Sequence, residues 1–255
     1  MTVHVEEVMG TVFTLRHFDD DPVRTDRFLT AVPRVCEELH RIDATYSTWK
    51  PTSTVSRFRR GDTVERDDEF EHVLTLCGRA ISESGGYFDP WSAPGGFDPT
   101  GLVKGYAVDL ACEIFVEEGC GPVIVNGGGD LRLSLGDPVA VGITHPSEQE
   151  ALMGVVEVRG SLASSGTYER GDHLYHPFGG RPVGVASSVL GAEAWRCDAL
   201  ATAVCVGGGA VLALVERLEG YEALLVTPDL HMSMTSGFEF LPVDVDVDAE
   251  VAPSW

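Results

Sequence analysis

Asn126-Gly127-Gly128-Gly129-Asp130 is the feature that most constrains how this chain folds. An apolar run at 122–126 precedes it, and an alternating run at 131–135, Leu-Arg-Leu-Ser-Leu, follows. A dinucleotide-binding glycine loop must pass from a strand into a helix. This one passes from strand to strand, which argues against a doubly wound nucleotide fold. Two readings remain open: a plain glycine turn, or a backbone surface close enough to touch a flat or phosphorylated ligand.

The surrounding periodicity supports a mixed class. Residues 11–16 predict a strand. Residues 25–43 predict a helix whose buried stripe is Phe28, Leu29, Val32, Val35, Cys36, Leu39 and Ile42, with a possible kink at Pro33. Residues 46–60 read as a polar loop. Residues 68–84 predict a helix that opens on acids and stops at Gly85-Gly86, and 104–118 another that stops at Gly119. Short strands are expected at 122–126, 131–135, 139–144, 154–158 and 184–189. A helix follows at 198–218, interrupted at Gly207-Gly208-Gly209, and late strands at 221–227 and 238–241. From Val243 the chain alternates Val and Asp, as an exposed edge strand or a disordered tail. Helices interleaved with runs of strands indicate α+β, with mixed or antiparallel sheets and packed helices.

The 255 residues carry a net charge of −22. Nucleic acid and anionic membranes are bound through basic patches, so neither is an expected partner. An anionic substrate meets the same repulsion. Two unit charges 4 Å apart interact by about 4 kcal/mol at an effective dielectric of 20, so a phosphate ligand here needs a local cation or a metal ion. No apolar run approaches the roughly 20 residues of a membrane helix. The first residues show no basic-then-apolar signal, so a cytoplasmic protein is expected. The six cysteines include no C-x-x-C pair and read as reduced, buried side chains.

Four segments carry chemistry. Asp98 to Asp109 sets a carboxylate, a turn and Lys104 at a helix start, where unpaired N–H groups and the macrodipole favour anions. Ser164-Ser165-Gly166-Thr167-Tyr168-Glu169-Arg170 is a hydroxyl-rich loop ahead of His173. That histidine is a base or leaving-group acid, or else a structural imidazole. Asp198-Ala199-Leu200-Ala201-Thr202 places a carboxylate and a hydroxyl one helical turn apart, hard oxygen donors that suit magnesium. The alternative is an aspartate capping its own helix.

In their order along the chain, these pieces resemble the ApbE family, the FAD:protein FMN transferases. The set runs from Met9-Gly10-Thr11 through Ser47-Thr48-Trp49-Lys50-Pro51, Tyr87-Phe88-Asp89-Pro90, the Asp98 and glycine segments and Ser164-Ser165-Gly166, to His173 and Asp198–Thr202. The pattern D-x-x-G-x-x-K-G-Y-x-x-D followed by D-A-L-A-T is the specific part. The resemblance implies a single T-fold-related α+β unit, placed at 1–242, with 243–255 as an acidic tail. It implies magnesium-dependent cleavage of FAD and transfer of FMN to a threonine of an acceptor flavoprotein, with release of AMP. Hydrolysis of FAD to FMN and AMP, or a non-catalytic FAD carrier, are the competing readings. Gly101 (through its backbone), Asp198 and Thr202 correspond to the family's metal ligands. Met9, Trp49, Tyr87, Phe88, Asp89, Asp98, Lys104 and Tyr175 correspond to FAD-contacting positions. His173 corresponds to the residue that activates the acceptor hydroxyl, and Asp198 is expected at the catalytic metal. Three positions depart from the pattern: His176 replaces an aspartate, Ser164 a threonine and Arg59 an asparagine. Arg59 is expected to add a phosphate or adenine contact.

Overall fold

The computed structural model describes residues 1–134, 136–148, 151–166, 174–242 and 250–251. Its centre is an eight-stranded antiparallel sheet. In spatial order the strands are β1 (Thr2–Val8), β2 (Thr11–His17), β3 (Val123–Gly127), β4 (Asp130–Leu133), β7 (Ser161–Gly166), β8 (Ala186–Gly191), β9 (Glu222–Val226) and β10 (Met232–Met234). Between β4 and β7 the chain leaves to build a second sheet from β5 (Val139–Thr144) and β6 (Leu152–Val158), joined in parallel by β11 (Glu250–Val251). This is the expected α+β class with antiparallel and mixed sheets.

Helices cover one face of the large sheet: α1 (Pro22–Tyr46), α2 (Thr54–Arg59), α3 (Asp68–Glu83), α4 (Thr100–Glu117), α5 (Ala194–Gly207) and α6 (Gly209–Val215). The main core lies between them and the sheet. A second core seals the other face, where Ile124, Leu131, Leu162 and Leu224 meet Val141, Ile143, Val156 and Val158 of the small sheet. With both faces covered, β3 is buried along its whole length, which is why its sequence is apolar without alternation.

The helices follow their sequence signals, with some corrections. Asp21 caps α1, its carboxylate accepting the Val23 N–H at 2.8 Å, and Pro22 occupies the first turn, where its missing donor costs nothing. The buried stripe is Phe28, Val32, Val35, Leu39, Ile42 and Tyr46, at spacings of three and four; Leu29, expected inside, is exposed. Pro33 falls on the exposed face and the helix continues through it. The polar loop at 46–60 contains α2, capped by Ser53, whose hydroxyl accepts the Ser56 N–H. Asp198 is not a cap: α5 starts at Ala194, a full turn earlier. The strand expected at 238–241 is replaced by β10, with Phe238 and Phe240 packed edge to face beyond it.

Candidate active site

Helices α4 and α5 pack so closely that glycine is required between them. A Cβ on Gly105 would lie 2.3 Å from the Ala194 carbonyl oxygen. This contact puts two carboxylates to work in opposite directions. Asp109 of α4 accepts the N–H groups of Ala194 and Trp195, both at 2.9 Å, capping α5 from another helix. Asp198 of α5 accepts the N–H of Gly105 at 3.0 Å. An unbroken helix commits that N–H to the Gly101 carbonyl. Gly101 itself departs from helical geometry, at φ −78° and ψ 16°. It also faces Thr202: a Cβ there would meet Thr202 Oγ1 at 3.2 Å. Asp198, Gly101 and Thr202 are therefore assembled by one helix–helix contact.

Opposite them, the glycine turn delivers Asp130. Gly128 adopts φ +63°, and a Cβ there would collide with Thr11 Oγ1 at 2.2 Å, so the turn fits tightly against β2. Asp130 is fully buried. It pairs with Lys104 and accepts the Ser164 N–H at 3.3 Å. Burial, reinforced by the neighbouring Asp198 carboxylate, pushes the Asp130 pKa well up, and Lys104 opposes this. Two buried carboxylates thus lie near each other, and the Lys104 ammonium pairs with Asp130. Ser165 adds a hydroxyl 3.2 Å from Thr202 Oγ1, and Ser164, the departure from threonine, keeps its hydroxyl on Ser188 at 2.9 Å. These oxygens are hard donors, and together they fit a divalent cation such as magnesium.

The cleft above these groups has two lobes that share Thr100 and Lys104. The first is lined by Asp98, Gly101, Asp198, Thr202, Phe88 and Tyr175, among others. The second is lined by Met9, Asp43, Tyr46, Trp49 and Lys50. Trp49 is 91% exposed at its lip. Met9 sits in the two-residue β1–β2 turn at φ 57°, a left-handed conformation that a side chain rarely adopts.

Asp98 holds the start of α4, accepting from Thr100 N at 3.1 Å and Thr100 Oγ1 at 2.6 Å. Arg59 is bound within the protein. It lies 3.5 Å from Asp98 and donates to the carbonyls of Pro94 and Gly95. It therefore fixes the Asp98 loop.

Two further expected positions, Tyr87 and Asp89, are held by contacts within the protein. The Tyr87 ring packs edge-on against His176 and Phe178, which accounts for His176 as an aromatic partner. The Asp89 side chain caps the 3₁₀ turn at Pro90–Ser92, and its carbonyl accepts the Tyr175 hydroxyl at 2.8 Å. His173 lies outside the described residues. Asp130, Ser165 and Asp109 are additions to the sequence-derived set; Asp130 and Asp109 stood in the motifs with no role attached.

Comparison with known proteins identifies the family. The model of the ApbE family matches residues 9–96 and 94–225. A protein of Rhodobacter capsulatus named FAD:protein FMN transferase is 34% identical over a 177-residue alignment, which covers 58% of this chain and 34% of the relative. The chain thus spans about a third of that relative. One of Vibrio cholerae serotype O1, with the same name, is 24% identical over 268 aligned positions, covering 78% of this chain and 79% of that protein. The fold resembles the crystal structure of the ApbE protein of Thermotoga maritima, with a TM-score of 0.77 at 19% identity, covering 92% of this chain and 97% of that one. It also resembles the flavin transferase ApbE of Vibrio cholerae, with a TM-score of 0.74 at 17% identity, covering 94% and 99%.

Proposed function

The chain belongs to the ApbE family, and on that premise we propose that it transfers FMN from FAD to a threonine of an acceptor flavoprotein, with Mg²⁺, releasing AMP. The observation that carries this reading is the convergence of Gly101, Asp198 and Thr202 on a cleft also lined by Lys104, which pairs with buried Asp130.

In the proposed reaction the acceptor threonine oxygen attacks the FMN phosphorus. A P–O bond forms, the bond to the bridging oxygen breaks, and AMP leaves with that oxygen. Such transfer is mostly positioning and charge neutralisation. Asp198, Thr202 and the Gly101 backbone oxygen would hold the magnesium ion, which when bound polarises the phosphoryl oxygens and stabilises the leaving phosphate. Lys104 supplies the protein's own positive charge beside the pyrophosphate, held in place by Asp130. The second lobe offers apolar surface to the isoalloxazine, with Trp49 on one side and Met9 on the other. Asp98 and Tyr175 bound the first lobe, where the nucleotide end would lie. His173 would take the threonine proton, since a hydroxyl is a weak nucleophile without a nearby base.

The test is incubation with FAD and magnesium, with and without a threonine-bearing acceptor, followed by mass spectrometry of protein and nucleotides. AMP release together with an acceptor heavier by one FMN is the expected result. AMP with free FMN and an unmodified acceptor would indicate hydrolysis, and intact bound FAD a carrier. Transfer that survives Asp198→Ala at full rate would refute the metal assignment.

A further inference from the structure

Away from the cleft, β1 is laid against α1 the wrong way round for an ordinary edge strand. Val3 and Val5 point to solvent, 45% and 56% exposed, while His4 and Glu6 turn inward against the helix. Burying polar side chains there costs free energy unless they are partnered. They meet Cys36. His4 Nε2 lies 3.3 Å from Cys36 Sγ and 3.3 Å from Glu6 Oε2, and the three ligand atoms lie within 4.8 Å of one another. One turn further along α1, His40 Nε2 reaches Glu6 Oε1 at 2.7 Å.

We propose that His4, Glu6 and Cys36 form a second metal site, specific for a borderline-soft transition ion, with zinc as the fitting ion and His40 orienting the Glu6 carboxylate. Tetrahedral zinc, with bonds of about 2.0–2.3 Å, separates its ligand atoms by about 3.3–3.7 Å. The 3.3 Å spacings in the structure match that range. The donor set is a thiol, an imidazole and a carboxylate, from an i, i+2 pair on a strand and one cysteine on the facing helix, which leaves the fourth tetrahedral position to water. Thiolate and imidazole ligands select zinc over magnesium, so this site and the all-oxygen cleft discriminate between the two ions by chemistry. Metal binding would displace the Cys36 thiol proton. The ion would staple the edge strand to α1.

The chain allows a clean test. The other five cysteines are buried, and Cys36 alone is partly exposed. Cobalt(II) is titrated into the whole, metal-free protein. A sulfur-to-cobalt charge-transfer band in the near ultraviolet reports a thiolate ligand, and cobalt in the oxygen-lined cleft gives none. The expected result is a band that saturates at one equivalent and is abolished by one equivalent of zinc. It is lost in Cys36→Ser and weakened at least tenfold in affinity in His4→Ala. Zinc should raise the melting temperature of the wild type and leave that of Cys36→Ser unmoved. No band in the folded wild-type protein, or a band that persists in Cys36→Ser, overturns the proposal. Either outcome leaves the flavin-transfer reading unaffected, because no residue is shared between the sites.

Discussion

Asp198 accepts the backbone N–H of Gly105 at 3.0 Å, at the one place where α4 and α5 come close enough to exclude any side chain larger than hydrogen. A carboxylate of the candidate site is thus oriented by the same contact that joins the two central helices. Function and packing meet at one glycine.

Replacing Gly105 with alanine is expected to force the helices apart and destabilise the protein by at least about 1–3 kcal/mol, the usual cost of overpacking. Gly78→Ala is the matched control. Gly78 is an exposed interior position of α3 with nothing within 4 Å of its built Cβ, so that change should stabilise by about 0.5–1 kcal/mol. Urea denaturation of the two variants should move the midpoints in opposite directions.

Lys104→Met should remove the cation that pairs with buried Asp130, beside the Asp198 carboxylate. Breaking a buried pair in this way typically costs about 3–5 kcal/mol. Millimolar magnesium should recover more of the melting temperature in this variant than it adds to the wild type. Equal shifts in the two proteins would argue against a cation seated beside Asp130 and Asp198.

Asp109 gives a pH signature. Burial is the dominant cause raising its pKa from 3.8 to about 6, against the opposing pull of Arg132 and of the two capped N–H groups. The fold therefore favours the protonated carboxyl. Its stabilising contribution is complete below pH 3.8 and is lost as pH rises through about 6. Asparagine carries no such term. The melting temperature of the wild type minus that of Asp109→Asn should fall between about pH 4 and about pH 7, as read by thermal denaturation across that range.

Met9 holds a left-handed backbone at the mouth of the second lobe. Met9→Gly should relieve strain of about 1 kcal/mol while removing apolar surface from the cleft. A slightly higher melting temperature with several-fold weaker FAD binding is the expected pair of results. Calorimetric titration with unchanged affinity would separate Met9 from the ligand.

The sequence made some of this site legible and concealed the rest for definable reasons. Asp198 and Thr202 could be read because helical periodicity alone sets them on one face. The glycine turn could be assigned to two strands because the alternation after it has a period of two. The exchange between Asp109 and Asp198 was hidden because each caps or holds the other's helix, a relation that exists only after α4 and α5 pack. Strand β1 was missed because its apolar residues face water and its polar ones face the helix, the reverse of the pattern by which a strand is recognised. The ion pair of Arg59 with Asp98 was hidden because it depends on the loop through Gly95, not on spacing along the chain.

The large sheet pairs β4 directly with β7, setting Leu131 beside Leu162, while the intervening chain builds a separate sheet. The groups around the cleft come from both sides of this excursion: Met9, Trp49, Lys104, Asp130, Ser165 and Asp198. No contiguous fragment holds the set. Closing such long loops is slow, because their entropy is lost before the contacts that compensate for it form. The cleft exists only when both sides of the excursion are folded, so a ligand seated in it acts on the cooperative unfolding of the whole chain. Protection by that ligand should extend in hydrogen exchange to strands that never touch it.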